Sequence, residues 1–277
     1  MDIPSYEPAA ALDFFKAGGE VETIPAGRTI FREDRRGRRS LFGRDKIYLL
    51  LKGRVSLTAA ALEIRSVKAG EIFGEMAALA RTPRSATAVA KTPCRLIALD
   101  WKQFRKALAK KPAFALMLMK VMVSRLREAV ARAKDKNVLD VQGAEDVPQE
   151  PPVFDPKSLA DMVRGLCDDA PVTFMRNQVI LEEGQVGTRM YAVLDGRIAV
   201  SINGAVVDRI GPGGMLGELA LIDQSPRLAS AVAEDNVTLQ PINRNAFIAL
   251  VKLDPELGAA LLAALAERLH YLTGRLK

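Results

Sequence analysis

Apolar and polar positions along the chain follow two rhythms. Short runs rich in β-branched and apolar residues, such as "QVIL" (178–181), "YAVL" (191–194), "IAVS" (198–201) and "AVVDRI" (205–210), are separated by turn signals and predict strands. Asp195-Gly196 and Asn203-Gly204 both read as two-residue hairpin turns. Elsewhere the period is helical. Asp100 followed three residues later by Gln103 resembles a capping box opening "WKQFRKALA". Leu261, Leu265, Leu269, Leu272 and Leu276 form one stripe at helical spacing. "AFALMLMKVMVSRL" (113–126) is apolar nearly all round, more than packing on one surface requires. Many short strands with tight turns predict a mainly β fold with flanking helices, a sandwich or a jelly-roll barrel.

The pattern occurs twice. "IYLLLKGRVSL" (47–57) aligns with "MYAVLDGRIAV" (190–200), and "GEMAALARTPRSATA" (74–88) with "GELALIDQSPRLASA" (217–231). Tyr48 and Tyr191, Gly53 and Gly196, Glu75 and Glu218, and Arg84 and Arg227 are each 143 positions apart. Upstream, "TIPAGRTIFRE" (23–33) aligns with "TFMRNQVILEE" (173–183) at an offset of 150, so the first copy holds seven extra residues between Ile30 and Tyr48. The chain is therefore two copies of one domain. The first is expected over 1–139 and the second over 157–277, each a barrel followed by a long helix. The polar, acidic, proline-rich stretch 140–156 is expected to link them. Ser158 with Asp161 is expected to cap a helix opening the second copy.

Composition narrows the class. Hydrophobic residues are 49% and charged residues 26%, a normal globular balance. The longest apolar run, 113–123, is broken by Lys120 and suits a buried helix rather than a membrane span. The N-terminus lacks a secretory pattern, and a cytoplasmic location is expected. Cys94 and Cys167 have no metal-ligand spacing and read as small buried apolar residues. The one histidine, His270, falls in the terminal helix and reads as a surface or interface residue. No nucleophile–base constellation and no metal set is present, so no enzyme is expected. Residues 1–136 carry 28 Lys and Arg against 14 Asp and Glu, a net of +14, whereas residues 137–277 carry 12 against 19, a net of −7. This asymmetry fits contact between the halves, different partners for each, or mere drift of surface composition.

The repeated Gly-Glu…Arg phrase carries the candidate chemistry. The N–H groups at the start of a short helix over "ELALID" favour an anion. Arg227 supplies a planar fork suited to phosphate. Glu218, acceptor-only when ionised, suits a ligand hydroxyl pair. Together they describe a phosphorylated sugar. The pattern Gly-Glu-Leu/Met-Ala…Pro-Arg-x-Ala resembles the phosphate-binding cassette of cyclic-nucleotide-binding domains. Such domains occur in the catabolite activator protein family and in regulatory subunits of cyclic-AMP-dependent protein kinase.

The resemblance implies tandem jelly-roll barrels binding cyclic AMP or cyclic GMP, with no other cofactor. It implies that Glu75 and Glu218 accept the ribose 2′-hydroxyl and that Arg84 and Arg227 pair with the cyclic phosphate. Amides of Ala86 and Ala229 add donors, and Gly74 and Gly217 let the main chain approach the sugar. Met76 and Leu219 follow the glutamates in the same pattern. After the arginines stand Ser85, with a hydroxyl, and Leu228, with none and more bulk; unequal affinities are expected. In the family the helix after the barrel often covers the base, which makes Arg127 and Tyr271 the base-capping candidates.

The chain ends at Lys277, where activator-type relatives append a helix-turn-helix, so no dedicated DNA-binding domain is expected. No pseudosubstrate-like segment stands out before the first barrel. A sensor would act on a partner protein through the long helices, paired within one chain or in a homodimer. The basic insertion "RRGRRSLFGR" (35–44) reads as a solvated loop, as a dock on the acidic half, as a phosphate-binding cluster, or as a kinase site at Ser40. The alternative class is a scaffold or nucleic-acid-binding protein that uses the basic first copy and has lost its ligand sites.

Overall fold

The computed structural model describes residues 2–34, 46–60, 62–136, 155, 161, 166 and 169–275. In the first copy α1 (Pro8–Lys16) precedes β1 (Glu20–Ile24), β2 (Thr29–Phe31), β3 (Ile47–Lys52), β4 (Arg54–Ala59), β5 (Leu62–Lys68) and β6 (Ile72–Phe73). A short helix α2 (Glu75–Ala80) follows, then β7 (Thr87–Ala90), β8 (Cys94–Leu99), α3 (Trp101–Lys110) and α4 (Ala113–Asp135). The second copy repeats the order with β9 (Val172–Phe174), β10 (Val179–Leu181), β11 (Arg189–Asp195), β12 (Ile198–Ile202), β13 (Ala205–Ile210) and β14 (Met215–Leu216). It continues with α5 (Glu218–Asp223), β15 (Ser230–Ala233), β16 (Val237–Asn243), α6 (Arg244–Leu253) and α7 (Pro255–Arg275).

Each copy is a jelly roll of two four-stranded antiparallel sheets. The first has β1-β8-β3-β6 and β2-β7-β4-β5; the second has β9-β16-β11-β14 and β10-β15-β12-β13, the same order strand for strand. Alternating side chains of both sheets fill the interior, among them Leu50, Val55, Val67, Phe73 and Leu96 in the first barrel and Val193, Ile198, Ile210, Val237 and Leu239 in the second. The Asp100–Gln103 capping box is present, and Asn243 caps α6 from the equivalent position. Cys94 is buried, as expected, with its thiol donating to carbonyls of Arg54 and Thr92. Leu261, Leu265, Leu269 and Leu272 are buried along α7. Cys167, Leu276, the insertion 35–44, Ser158 and all of the segment 140–156 save Asp155 lie outside the described residues.

One turn differs from expectation. Asn203-Gly204 does join paired strands, with Ile202 opposite Ala205. Asp195-Gly196 is not a hairpin: β11 pairs with β14 and β16, whereas β12 pairs with β13 and β15. Gly196 (φ 84°) carries the chain from one sheet to the other, and a Cβ there would meet the Asn236 carbonyl at 2.5 Å. Gly53 does the same between β3 and β4. A Gly that turns a barrel corner has the same local signature as one that closes a hairpin.

Packing divides the chain differently from the repeat. One compact unit holds Pro4–Met122 with Gly258–Lys277, and the other holds Met1–Ile3 with Val123–Leu257. The unit of the first barrel therefore includes most of α7, and the unit of the second includes the later part of α4. Among the described residues no helix is long and apolar enough to cross a membrane, and no cluster of residues is suited to a metal ion.

Ala60 and Asn203 occupy the same left-handed turn position, each at φ 50°. Alanine is strained there and asparagine is tolerated. Ala60→Asn is expected to stabilise the protein by about 1 kcal/mol and Asn203→Ala to destabilise it by about the same, as read by the denaturant midpoint.

Candidate functional site

Both repeated phrases build the same cradle. A two-residue strand, β6 or β14, ends at a glycine in the left-handed region, Gly74 (φ 75°) or Gly217 (φ 84°), from which α2 or α5 starts. The glycine is required twice over. Its backbone conformation suits no β-carbon, and a Cβ would lie 2.9 Å from Arg84 Nη1 in the first copy and 2.5 Å from Arg227 Nη1 in the second.

The arginine folds onto this glycine. Arg84 donates from Nη1 to the Gly74 carbonyl (2.6 Å) and from Nη2 to the Lys46 carbonyl (2.9 Å). Arg227 donates to the Gly217 carbonyl (2.7 Å) and to the Arg189 carbonyl. Lys46 and Arg189 are equivalent in the repeat, so the two arginines span the same pair of main-chain segments. These bonds keep each guanidinium inside, with Arg84 9% and Arg227 7% exposed, beside carboxylates that are equally hidden, Glu75 at 2% and Glu218 at 4%. Burial pushes the Arg227 guanidinium below its ordinary pKa, while Tyr191 and Glu218 act in the opposite sense. A buried cation held by carbonyl dipoles gains from an arriving anion.

The surroundings of the guanidinium differ. In the first copy the Phe31 ring lies 4.2 Å from Arg84 Cζ, a cation–π contact. The equivalent residue in the second copy is Leu181. There the close neighbour is Gly187, where a Cβ would come within 2.1 Å of Arg227 Cζ.

A second carboxylate braces each cradle. The Glu33 amide donates to Thr87 Oγ1 (2.9 Å) and its carboxylate accepts from the Ala60 amide (3.3 Å). At the equivalent positions the Glu183 amide donates to Ser230 Oγ (3.0 Å) and its carboxylate accepts from the Asn203 amide (2.9 Å). The strand after the arginine is thus tied to the strand before the insertion and to the β4–β5 or β12–β13 turn. Glu183 also pairs with Lys134 of α4 at 2.5 Å.

Among the other sequence-derived candidates, Ala86 is buried; Met76, Ser85, Leu219, Leu228 and Ala229 are half-buried beside their cassettes. The two base-capping candidates do not accompany their own barrels. Arg127 belongs to the unit of the second barrel, where its guanidinium makes a two-point ion pair with Asp223, the last residue of α5. Tyr271, half-buried on α7, belongs to the unit of the first. A carboxylate at a helix C-terminus faces the negative end of the helix dipole, and Arg127 offsets it. Reading side chains for ligand chemistry missed Phe31, Gly187, Asp223 and the carbonyls of Lys46 and Arg189. Only the Glu33–Glu183 pair left a signal, as aligned glutamates at an offset of 150.

Comparison with known proteins follows the same two segments. The family model for the cyclic nucleotide-binding domain matches residues 21–111 and 171–254. The cAMP-dependent protein kinase regulatory subunit of Eremothecium gossypii is 27% identical over 231 residues, covering 82% of this chain and 43% of that protein. The subunit of the same name from Hypocrea atroviridis is 30% identical over 188 residues, covering 67% and 35%. The chain spans less than half the length of these curated relatives. Among solved structures, the regulatory domain of Toxoplasma gondii PKA with cAMP is 22% identical, covering 88% of this chain and 86% of that one, with a TM-score of 0.30.

Removing an arginine strips donors from two carbonyls inside its cradle. Arg227→Ala is expected to destabilise the ligand-free protein by about 1–3 kcal/mol in denaturant unfolding. Arg227→Lys, which lacks the planar fork, is expected to restore less than half of that loss.

Proposed function

Because the chain belongs to the cyclic nucleotide-binding domain family, we propose that it is a non-enzymatic sensor of cyclic AMP or cyclic GMP that regulates a partner protein. The observation that carries this reading is the pair of buried arginines, held in the same way beside buried glutamates at the same spacing. In each cassette the guanidinium takes the cyclic phosphate, joined by the amides at the start of the short helix and that of Ala86 or Ala229. Glu75 or Glu218 accepts the ribose 2′-hydroxyl. A linear 5′-nucleotide carries an extra charge and a free 3′-hydroxyl, and neither suits a cradle with one cation and one carboxylate.

The affinities differ between cassettes. Ser85 offers a hydroxyl beside Arg84, whereas Leu228 offers bulk beside Arg227, and the first cassette is the tighter. Output runs through α4. Arg127 ties this helix to the end of α5, and Lys134 ties it to Glu183 after β10; movement of α5 on ligand binding shifts α4 through the Arg127–Asp223 pair, with Lys134–Glu183 as its second attachment to the same barrel. Residues 113–122 of α4 and most of α7 fall in one compact unit, which favours pairing of the long helices within a single chain. The names of the curated relatives support a protein kinase as the partner class, and a cytoplasmic location goes with that reading.

Thermal unfolding with cyclic AMP, cyclic GMP and 5′-AMP tests the reading. At a hundredfold excess over the dissociation constant the preferred cyclic nucleotide is expected to stabilise the protein by about 2.7 kcal/mol, with 5′-AMP giving no comparable shift. Arg84→Ala is expected to remove the tighter phase and Arg227→Ala the weaker one. Equal shifts with 5′-AMP, or cyclic-nucleotide shifts intact when both arginines are replaced, would refute it.

A further inference from the structure

The two barrels carry different charge at the same place. In the first, three segments close one end of the barrel: the corner at Gly53, the β7–β8 turn at 91–93, and the turn after β5. They are laced together by bonds from the Lys91 amide to the Arg54 carbonyl (2.8 Å), the Gly70 amide to the Leu50 carbonyl (2.7 Å) and the Arg54 amide to Thr92 Oγ1 (3.0 Å). Lys52, Arg54, Lys68, Lys91 and Arg95 all stand on or beside these segments, and all are exposed. Lys52 is the cross-strand partner of Arg95, and Arg54 of Lys68. Among the described residues none of the five forms an ion pair. The nearby carboxylate, Glu71, is engaged by Arg65 at 3.0 Å and by the Lys68 amide.

The second barrel shows that the fold does not need these cations. Its equivalent residues are Asp195, Arg197, Gly211, Glu234 and Thr238. There Arg197 pairs with Glu234 at 2.8 Å, and its amide donates to Asp235 at 2.7 Å. One barrel end is thus internally compensated, while its duplicate keeps like charges that repel one another.

An external anion answers that repulsion, and the surface narrows its kind. Specific protein interfaces have aromatic or apolar cores and are poor in lysine; these segments expose no aromatic side chain, and the exposed large apolar residues among the described residues of this barrel, Val21, Leu62 and Ile64, lie elsewhere. Polybasic membrane attachment works beside a spanning or amphipathic helix, whereas these cations stand on strand ends and tight turns. Binding to a nucleic-acid duplex runs on cations alone, through counterion release along a regular row of phosphates. We propose that this end of the first barrel docks on the phosphate backbone of double-stranded nucleic acid without reading its sequence. The site is separate from both cassettes and independent of their ligand.

The repeat supplies the test. Fluorescence anisotropy of two unrelated labelled duplexes is followed across about 50–200 mM salt, for the intact chain and for the K52D/K91E/R95T variant, which carries the second barrel's residues. The intact chain is expected to bind both duplexes alike, with affinity falling steeply as salt rises. The variant is expected to lose about 3 units of the log–log salt slope and at least tenfold in affinity at low salt, with an unfolding midpoint no lower than that of the intact chain. An unchanged slope in the variant overturns the proposal. So does binding to phosphatidylserine vesicles with no binding to either duplex.

Discussion

A guanidinium that is buried must be held by something, and in this protein the main chain holds it. Each cassette arginine reaches two carbonyls, one of them on the glycine that starts the short helix. That single requirement fixes much around it. The glycine must be left-handed and must lack a side chain, because a β-carbon would occupy the place of Nη1. The segment before β3 or β11 must run close enough to offer its carbonyl. The short helix must begin there, which leaves its first amides without intrahelical partners at the end where the buried Glu75 or Glu218 stands. A charge kept dry costs free energy unless it is compensated; Arg227 donates to the carbonyls of Gly217 and Arg189, and Tyr191 and Glu218 oppose the downward push of burial on its pKa. On the proposed reading, the residual field is what a cyclic phosphate would meet.

The two copies solve the same problem with different neighbours. Phe31 covers the first guanidinium, whereas in the second copy Gly187 leaves room for it to lie close to the chain. The shared bonds from Glu33 and Glu183 show which parts the duplication has kept: the cradle and the turn that braces it. The second cassette is fastened to α4 through Arg127 and Lys134. The cradle is therefore built into both barrels, and on the proposed reading transmission belongs to the second.

The duplication made most of the fold legible from sequence. Strands with β-branched runs, the Asp100 capping box, the Asn203-Gly204 hairpin and the short helices after Gly74 and Gly217 each rest on local chemistry that a side chain announces. Asp195-Gly196 shows the limit, since a corner between sheets and a hairpin both ask for the same residue. The grouping of the later part of α4 with the second barrel and of most of α7 with the first was not legible, because Arg127 and Tyr271 look the same whichever barrel they accompany. Within the cassettes, the glutamates and arginines that prove buried were readable from their spacing. The carbonyls of Lys46 and Arg189 were not, because every residue carries one and only the folded path decides which carbonyl is near.

A crystal structure grown with cyclic AMP tests the central claim most directly, since the claim concerns which atoms meet. In at least one cassette the cyclic phosphate should lie within about 2.7–3.2 Å of the arginine guanidinium, with the ribose 2′-hydroxyl on the buried glutamate. A nucleotide bound elsewhere, or one whose phosphate bypasses both Arg84 and Arg227, would contradict it.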